Sequence, residues 1–217
     1  MESQGEQYVF AHPLTWSQEQ VDEINSAQKV GINELDKIMR SLGGVDPTTQ
    51  HISLVLQGNA ITEVQITNIA VIKDKCTAPL AGGFYNSPPA GGATAIDIEF
   101  DLDEPIAVAK SPSEAGVDAE YFRGHVVSLK PDEQVPFFIS VRSLKQYCEF
   151  RLQLTVVDQS GTSTQIIDNH GESFAVSATL YDPSGAPPYQ AYETLYVAGV
   201  ASEGGPIKVD PSSYTGE

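Results

Sequence analysis

Residues 147–157 read YCEFRLQLTVV, and their two faces separate cleanly until the last position. Cys148, Phe150, Leu152, Leu154 and Val156 fall on one side of an extended chain, while Tyr147, Glu149, Arg151, Gln153 and Thr155 fall on the other. Side chains alternate across a strand, so the pattern predicts a half-buried β-strand with a cysteine on its inner face. The other cysteine, Cys76, closes a second β-rich run, and one covalent link would tie two strand ends across a core.

The same alternation extends in both directions. Upstream, Val135, Phe137, Ile139 and Val141 share a face, with Pro136 near the strand start, where a missing N–H does least harm. The turn sequence Lys130-Pro131-Asp132-Glu133 separates them from Val127 and Leu129. Downstream, Asp158-Gln159-Ser160-Gly161 turns the chain into residues 162–167, and Asp168-Asn169-His170-Gly171 turns it again into Phe174, Val176, Ala178 and Leu180. Nearer the N-terminus, Ile52, Leu54 and Leu56 face inward before Gly58-Asn59. Val64 and Ile66 then hold one phase and Ile69 and Val71 the other, which predicts a bulge near Asn68.

About eight short strands without intervening helices specify a mainly β fold, an antiparallel two-sheet sandwich of immunoglobulin-like type over residues 48–180. The tryptophan of a true antibody-type domain is missing between the cysteines, since Trp16 precedes both. Residues 1–47 read as an extension with one or two short helices packed on the sandwich. Tyr8, Val9 and Phe10 suggest an edge strand, and Thr15 with Gln18 or Ser17 with Gln20 offers a capping box. Trp16, Val21, Ile24 and Ala27 mark a first helix. After Gly31, Asn33 is the expected cap of a second, in which Leu35, Ile38, Met39 and Leu42 form a one-sided stripe before Gly43-Gly44. Residues 181–217 are a Pro/Gly-rich acidic extension with a candidate strand at 192–200 and a loose tail from Glu203.

At 217 residues the chain suffices for one well-buried core and hardly for two. Its 29 Asp plus Glu against 12 Lys plus Arg give a formal charge of −17, which repels phosphate backbones and anionic lipid surfaces. Nucleic acid is therefore not an expected partner, whereas cations, basic proteins and basic peptides remain. No run of about 18 apolar residues occurs, so no transmembrane segment is read in this sequence. The start, MESQGEQYVF, lacks the basic and apolar regions of a signal peptide, leaving a cytosolic protein or an exported one whose export segment lies outside the sequence.

Cysteine usage bears on that choice. A separation of 72 residues between two strand ends fits one long-range disulfide, contributing roughly 3 to 5 kcal/mol on a chain-entropy argument. Two reduced thiols, with Cys148 a small buried apolar residue, are the alternative. Two such cysteines make neither a metal tetrad nor a C-x-x-C redox pair.

Candidate binding residues lie in two places. Asp97, Glu99, Asp101 and Asp103 alternate with Ile96, Ile98, Phe100 and Leu102, placing four carboxylates in line, about 7 Å apart. Neighbours at that spacing can share a hard cation if a loop adds oxygens, although a solvated outer face gives the same pattern and no calcium-wrapping loop is present. In the loop 77–93, Phe84 and Tyr85 either pin the chain to its own domain or present a binding surface. Four histidines, His12, His51, His125 and His170, lie in different segments without metal spacing. His170, beside Asp168, Asn169 and Glu172, is the one a turn could expose. No nucleophile elbow, P-loop or dinucleotide turn occurs, so neither an enzyme nor a cofactor is expected.

Several stretches resemble uncharacterised actinobacterial proteins with an N-terminal membrane anchor and an extracytoplasmic immunoglobulin-like domain. They are HISLVLQGNAITEVQITNIAV, CTAPLAGGFYNSPPAGG, IDIEFDLDEP, VVSLKPDEQVPFFISVRS with YCEFRLQLTVV, and DNHGESFAVSA, covering about residues 43–180. The resemblance implies export, an anchor preceding Glu2 and pairing of Cys76 with Cys148; it carries no active site. The expected role is a non-catalytic ectodomain contacting a protein or cell-envelope partner, with a cation- or glycan-binding module as the alternative.

Overall fold

The computed structural model describes residues 6–87, 96–111, 119–180, 188–198 and 205–215. Its first elements are β1 (Glu6–Phe10), α1 (Gln18–Val30), α2 (Ile32–Ser41), β2 (Asp46–Pro47), β3 (Thr49–Gln57), β4 (Val64–Thr77) and β5 (Gly83–Ser87). Next come β6 (Ile96–Asp101), β7 (Lys110–Ser111), β8 (Ala119–Glu120), α3 (Tyr121–Gly124), β9 (Val127–Leu129) and β10 (Gln134–Arg142). The chain continues through β11 (Tyr147–Asp158), β12 (Gly161–Ile167), β13 (Phe174–Ser177), a 3₁₀ turn (Pro188–Ala191), β14 (Thr194–Val197) and β15 (Ile207–Val209). The protein is mainly β with several sheets, an arrangement consistent with a β-sandwich.

The chain divides into two compact units, not one domain with extensions. The larger run of strands, Thr49–Thr77 with Ala95–Val176, forms the first to be described. One of its sheets has the order β3-β10-β6-β7-β8, and another runs β13-β11-β4-β9 with β12 also on β11. Both supply one core: Ile98, Phe100, Phe137, Ile139 and Val141 from the first, and Ile66, Ile69, Phe150, Leu152 and Leu154 from the second. The alternation in 147–157 is realised, because Cys148, Phe150 and Leu152 are fully buried.

Two expectations need correction here. Strand pairing is not purely antiparallel, since β6 runs parallel to β10 and β5 parallel to β14. Cys76 and Cys148 are disulfide-bonded, but they face each other across β4 and β11 with Cα atoms 4.2 Å apart. The link therefore staples neighbours within one sheet and does not cross the core. The register of β4 on β11 shifts at Thr67, next to Asn68, as the phase change requires, and shifts a second time between Lys73 and Lys75. Gly58 is needed where it stands: a Cβ there would overlap the Lys130 carbonyl of the following turn, whose Asp132 N–H donates to the Gly58 carbonyl at 2.7 Å.

The second unit combines Met1–Thr48, Ala78–Thr94 and Ser177–Glu217 around a sheet of order β1-β5-β14-β15. Ser17 caps α1 in a full capping box with Gln20. Gly31, at φ 141°, precedes α2, so Asn33 is not its cap. The helical stripes of Ile24, Ala27, Leu35 and Met39 cover this sheet, packing with Tyr8, Phe10, Tyr85 and Tyr196, so within 48–180 the strand they meet in this cluster is β5. Trp16 sits among the same aromatics, 4.4 Å from Tyr196 between ring centres.

The polar side of this unit is a partly buried network. Arg40 bonds Asp36 and Asp46, the latter at 2.7 Å, while Tyr8 donates to Asp36. Part of the tail expected to be loose from Glu203 is ordered, because β15 pairs with β14, which is itself flanked by β5 and carries the wholly enclosed Leu195. The strand expected at 192–200 is thus present over Thr194–Val197, while residues 199–204 lie outside the described ones.

Candidate functional site

β10 is the middle strand that positions the carboxylate row. In its parallel register with β6, Phe138, Ser140 and Arg142 lie beside Asp97, Glu99 and Asp101. The Arg142 guanidinium reaches Asp101 at 2.8 Å and Glu99 at 3.8 Å, so a protein cation already sits between two of the four carboxylates. Burial would raise the Asp101 pKa, but hydrogen bonds from Arg142 and the Asp103 N–H, with the charges of Arg142 and Lys110, hold it below the ordinary carboxylate range.

The row also ends earlier than the alternation suggested. β6 stops at Asp101, and Asp103 folds back to accept from the Ser143 hydroxyl at 3.2 Å and the Leu144 N–H at 2.8 Å. It fastens the 143–146 turn and is not a fourth rung. Among the described residues no group of three or more His, Cys, Asp and Glu is placed to hold a metal ion.

On the opposite side of β10, β3 sets His51 against Ser140, with Oγ and Nδ1 3.0 Å apart. His51 stacks on Phe138 at 5.4 Å, and burial lowers its pKa, favouring the neutral ring. Neither residue was singled out as a pair from the sequence. Alternation puts both on outward positions, but only strand register makes them neighbours. A serine beside a neutral imidazole has the first two parts of an activated nucleophile. The orienting acid is not on the imidazole: Glu99 lies across β10, beside Ser140, and the His51 Nε2 is buried without a partner.

Phe84 and Tyr85 are buried, at 2% and 0% exposure, which removes them as a loop binding surface. They belong to β5, where Phe84 packs on Tyr189 and Tyr192 and the Tyr85 hydroxyl accepts from Gln28 Nε2 at 2.7 Å. The sequence read this stretch as a connection because its strand partners are distant; residues 88–95 lie outside the described ones. His170 occupies the φ 58° position of a turn closed by the Gly171 N–H on the Asp168 carboxylate at 2.9 Å. His125 stacks on Tyr121, with Nδ1 2.9 Å from its carbonyl.

A surface bond pins the second bulge of β4. Arg151 Nε and Nη2 donate to both oxygens of Asp74 at 2.9 and 2.7 Å, and Ser173 adds a third bond at 2.7 Å. The hydrogen bonds from Arg151 and then Ser173 hold the Asp74 pKa at about 2. Farther along the same strand, residues 67–70 line a cleft of about 480 Å³ together with residues 106–109, Glu120, Phe122 and Arg123.

Comparison of the chain with protein-family models, with curated proteins and with solved structures returns no match.

Proposed function

We propose that the chain is a non-catalytic extracytoplasmic domain of immunoglobulin-like type that mediates protein or cell-envelope contacts, either secreted or held to a membrane by an anchor outside this sequence. The observation that carries this reading is the Cys76–Cys148 disulfide. Structural disulfides persist in oxidising compartments and are rare where thiols are kept reduced. The formal charge of −17 favours basic protein partners over anionic ones. Among the described residues no helix is long and apolar enough to cross a membrane. The cation- or glycan-binding alternative draws less support, because Arg142 occupies the carboxylate row and Phe84 and Tyr85 are enclosed.

A membrane-impermeant, amine-reactive cross-linker applied to intact cells should convert the chain into a discrete conjugate. A chain protected until lysis would overturn the address, and one labelled but never conjugated would overturn the partner. A serine-directed fluorophosphonate should leave Ser140 unmodified; stoichiometric labelling there would overturn the non-catalytic assignment.

A further inference from the structure

The cleft beside β4 has a feature that a cavity over a sheet face lacks. Successive side chains of a strand point to opposite faces, so a cavity touching four consecutive residues, 67–70, meets the strand along its edge. The opposite wall is the irregular stretch 106–109, which precedes β7. The cleft is a slot between one strand and that stretch.

The cause lies in the bulge. β9 pairs with β4 only over Val64–Ile66, where the chain has just arrived from α3, and the register shift on β4 falls at the next residue, Thr67. Beyond it β4 continues, bonded to β11 on one side, while among the described residues no strand pairs its other side. Alternate N–H and C=O groups there face the slot, an arrangement that templates an added strand. The slot is walled by small side chains, Ala70, Ala107 and Ala109, and has Ile106 at its rim, 76% exposed.

We propose that this slot accepts an extended, cationic segment of a partner protein as an additional strand on β4, bonding over about four residues. The proposal rests on the reading of the chain as an interaction domain and names its mode. Main-chain bonds supply the extended geometry. The lining carries one side chain of each sign, Glu120 and Arg123, so the overall charge of −17 supplies the sign, and Glu120 offers a contact for a lysine or arginine.

The probe is a fluorescent Lys-Val-Lys-Val-Lys-Val peptide added to the full chain. Binding should weaken as salt rises, and the slot-facing amides of residues 67–72 should gain protection from hydrogen exchange. Proline at alternate positions of the peptide, or glutamate for lysine, should weaken binding at least tenfold. Ile106→Arg, at an exposed position that folding does not need, should do the same. Binding without new protection at 67–72, or indifferent to proline or to Ile106→Arg, would overturn the proposal, as would no binding. Protection that grows with protein concentration alone would identify a second copy as occupant and also overturn it. If the cellular conjugate persists undiminished in Ile106→Arg, the slot is wrong while the interaction reading stands; if the wild-type chain forms none, that reading itself has failed.

Discussion

The two compact units differ in where their strands come from. In the unit of Thr49–Thr77 and Ala95–Val176, β11 and β12 form a hairpin, and β3, β6, β10 and β11 announce themselves by clean alternation, whereas the two-residue β7 and β8 do not. In the other unit, neighbouring strands are far apart in sequence: Glu6 pairs with Ser87, and Gly83 with Thr194. One unit carries a covalent staple between β4 and β11; the other is held by an aromatic core and the Arg40 network. The difference teaches that burial alone can assemble a sheet from three distant segments, provided large rings fill the core and offset the loop-closure entropy.

The largest test of that contrast is removal of the staple. Replacing Cys76 and Cys148 by serine together should destabilise the stapled unit by about 4 kcal/mol on the chain-entropy argument. Trp16, the single tryptophan, belongs to the other unit, so its fluorescence reports that unit in denaturant while far-UV circular dichroism follows both. An unshifted Trp16 transition is expected. If it moved with the serine pair, the units would unfold as one and the contrast would break.

A somewhat smaller effect is expected in the converse experiment. Leu195, wholly buried on β14, should cost about 3 kcal/mol on replacement by alanine, through lost burial and the cavity left behind. Here the Trp16 transition should move to lower denaturant while the disulfide-bonded unit keeps its midpoint. An unmoved Trp16 signal would show that the C-terminal strand is not needed for the aromatic core.

The smallest effect is in acid, and it sharpens the contrast by sign. Asp74 titrates at about 2, below its unfolded value near 3.8, so its contribution is complete above the unfolded value and is lost as pH falls through about 2. Asp46 goes the other way, because burial raises it against the charge and hydrogen bond of Arg40. Its ionised form therefore opposes folding at neutral pH, and the penalty is relieved as pH falls through the raised value. Carboxyl NMR titration should show Asp46 taking up its proton at higher pH than Asp74, and Ser173→Ala should raise the Asp74 midpoint. Coincident midpoints would remove the distinction.

The candidate residues were legible to different depths. Asp97, Glu99 and Asp101 were readable as one face of a strand because alternation is a local property, but the arginine among them was not, since Arg142 reaches them through inter-strand register. Phe84 and Tyr85 were readable only as aromatics in need of burial; their strand exists because β1 and β14 flank it. The same holds for His51 and Ser140, and for the slot beside β4, where the phase change near Asn68 was visible but its effect on β9 was not.

By itself the sequence determined the strands of 147–157 and their neighbours, the helical stripes, the bulge and the acidic surface, because each depends on residues only a few positions apart. Tertiary structure alone decided that the disulfide lies within a sheet, that residues 6–10, 83–87 and 194–197 share another, and that β9 pairs with β4 over Val64–Ile66. Those outcomes depend on which distant backbones exchange hydrogen bonds, and the side-chain pattern of one strand does not name its partner.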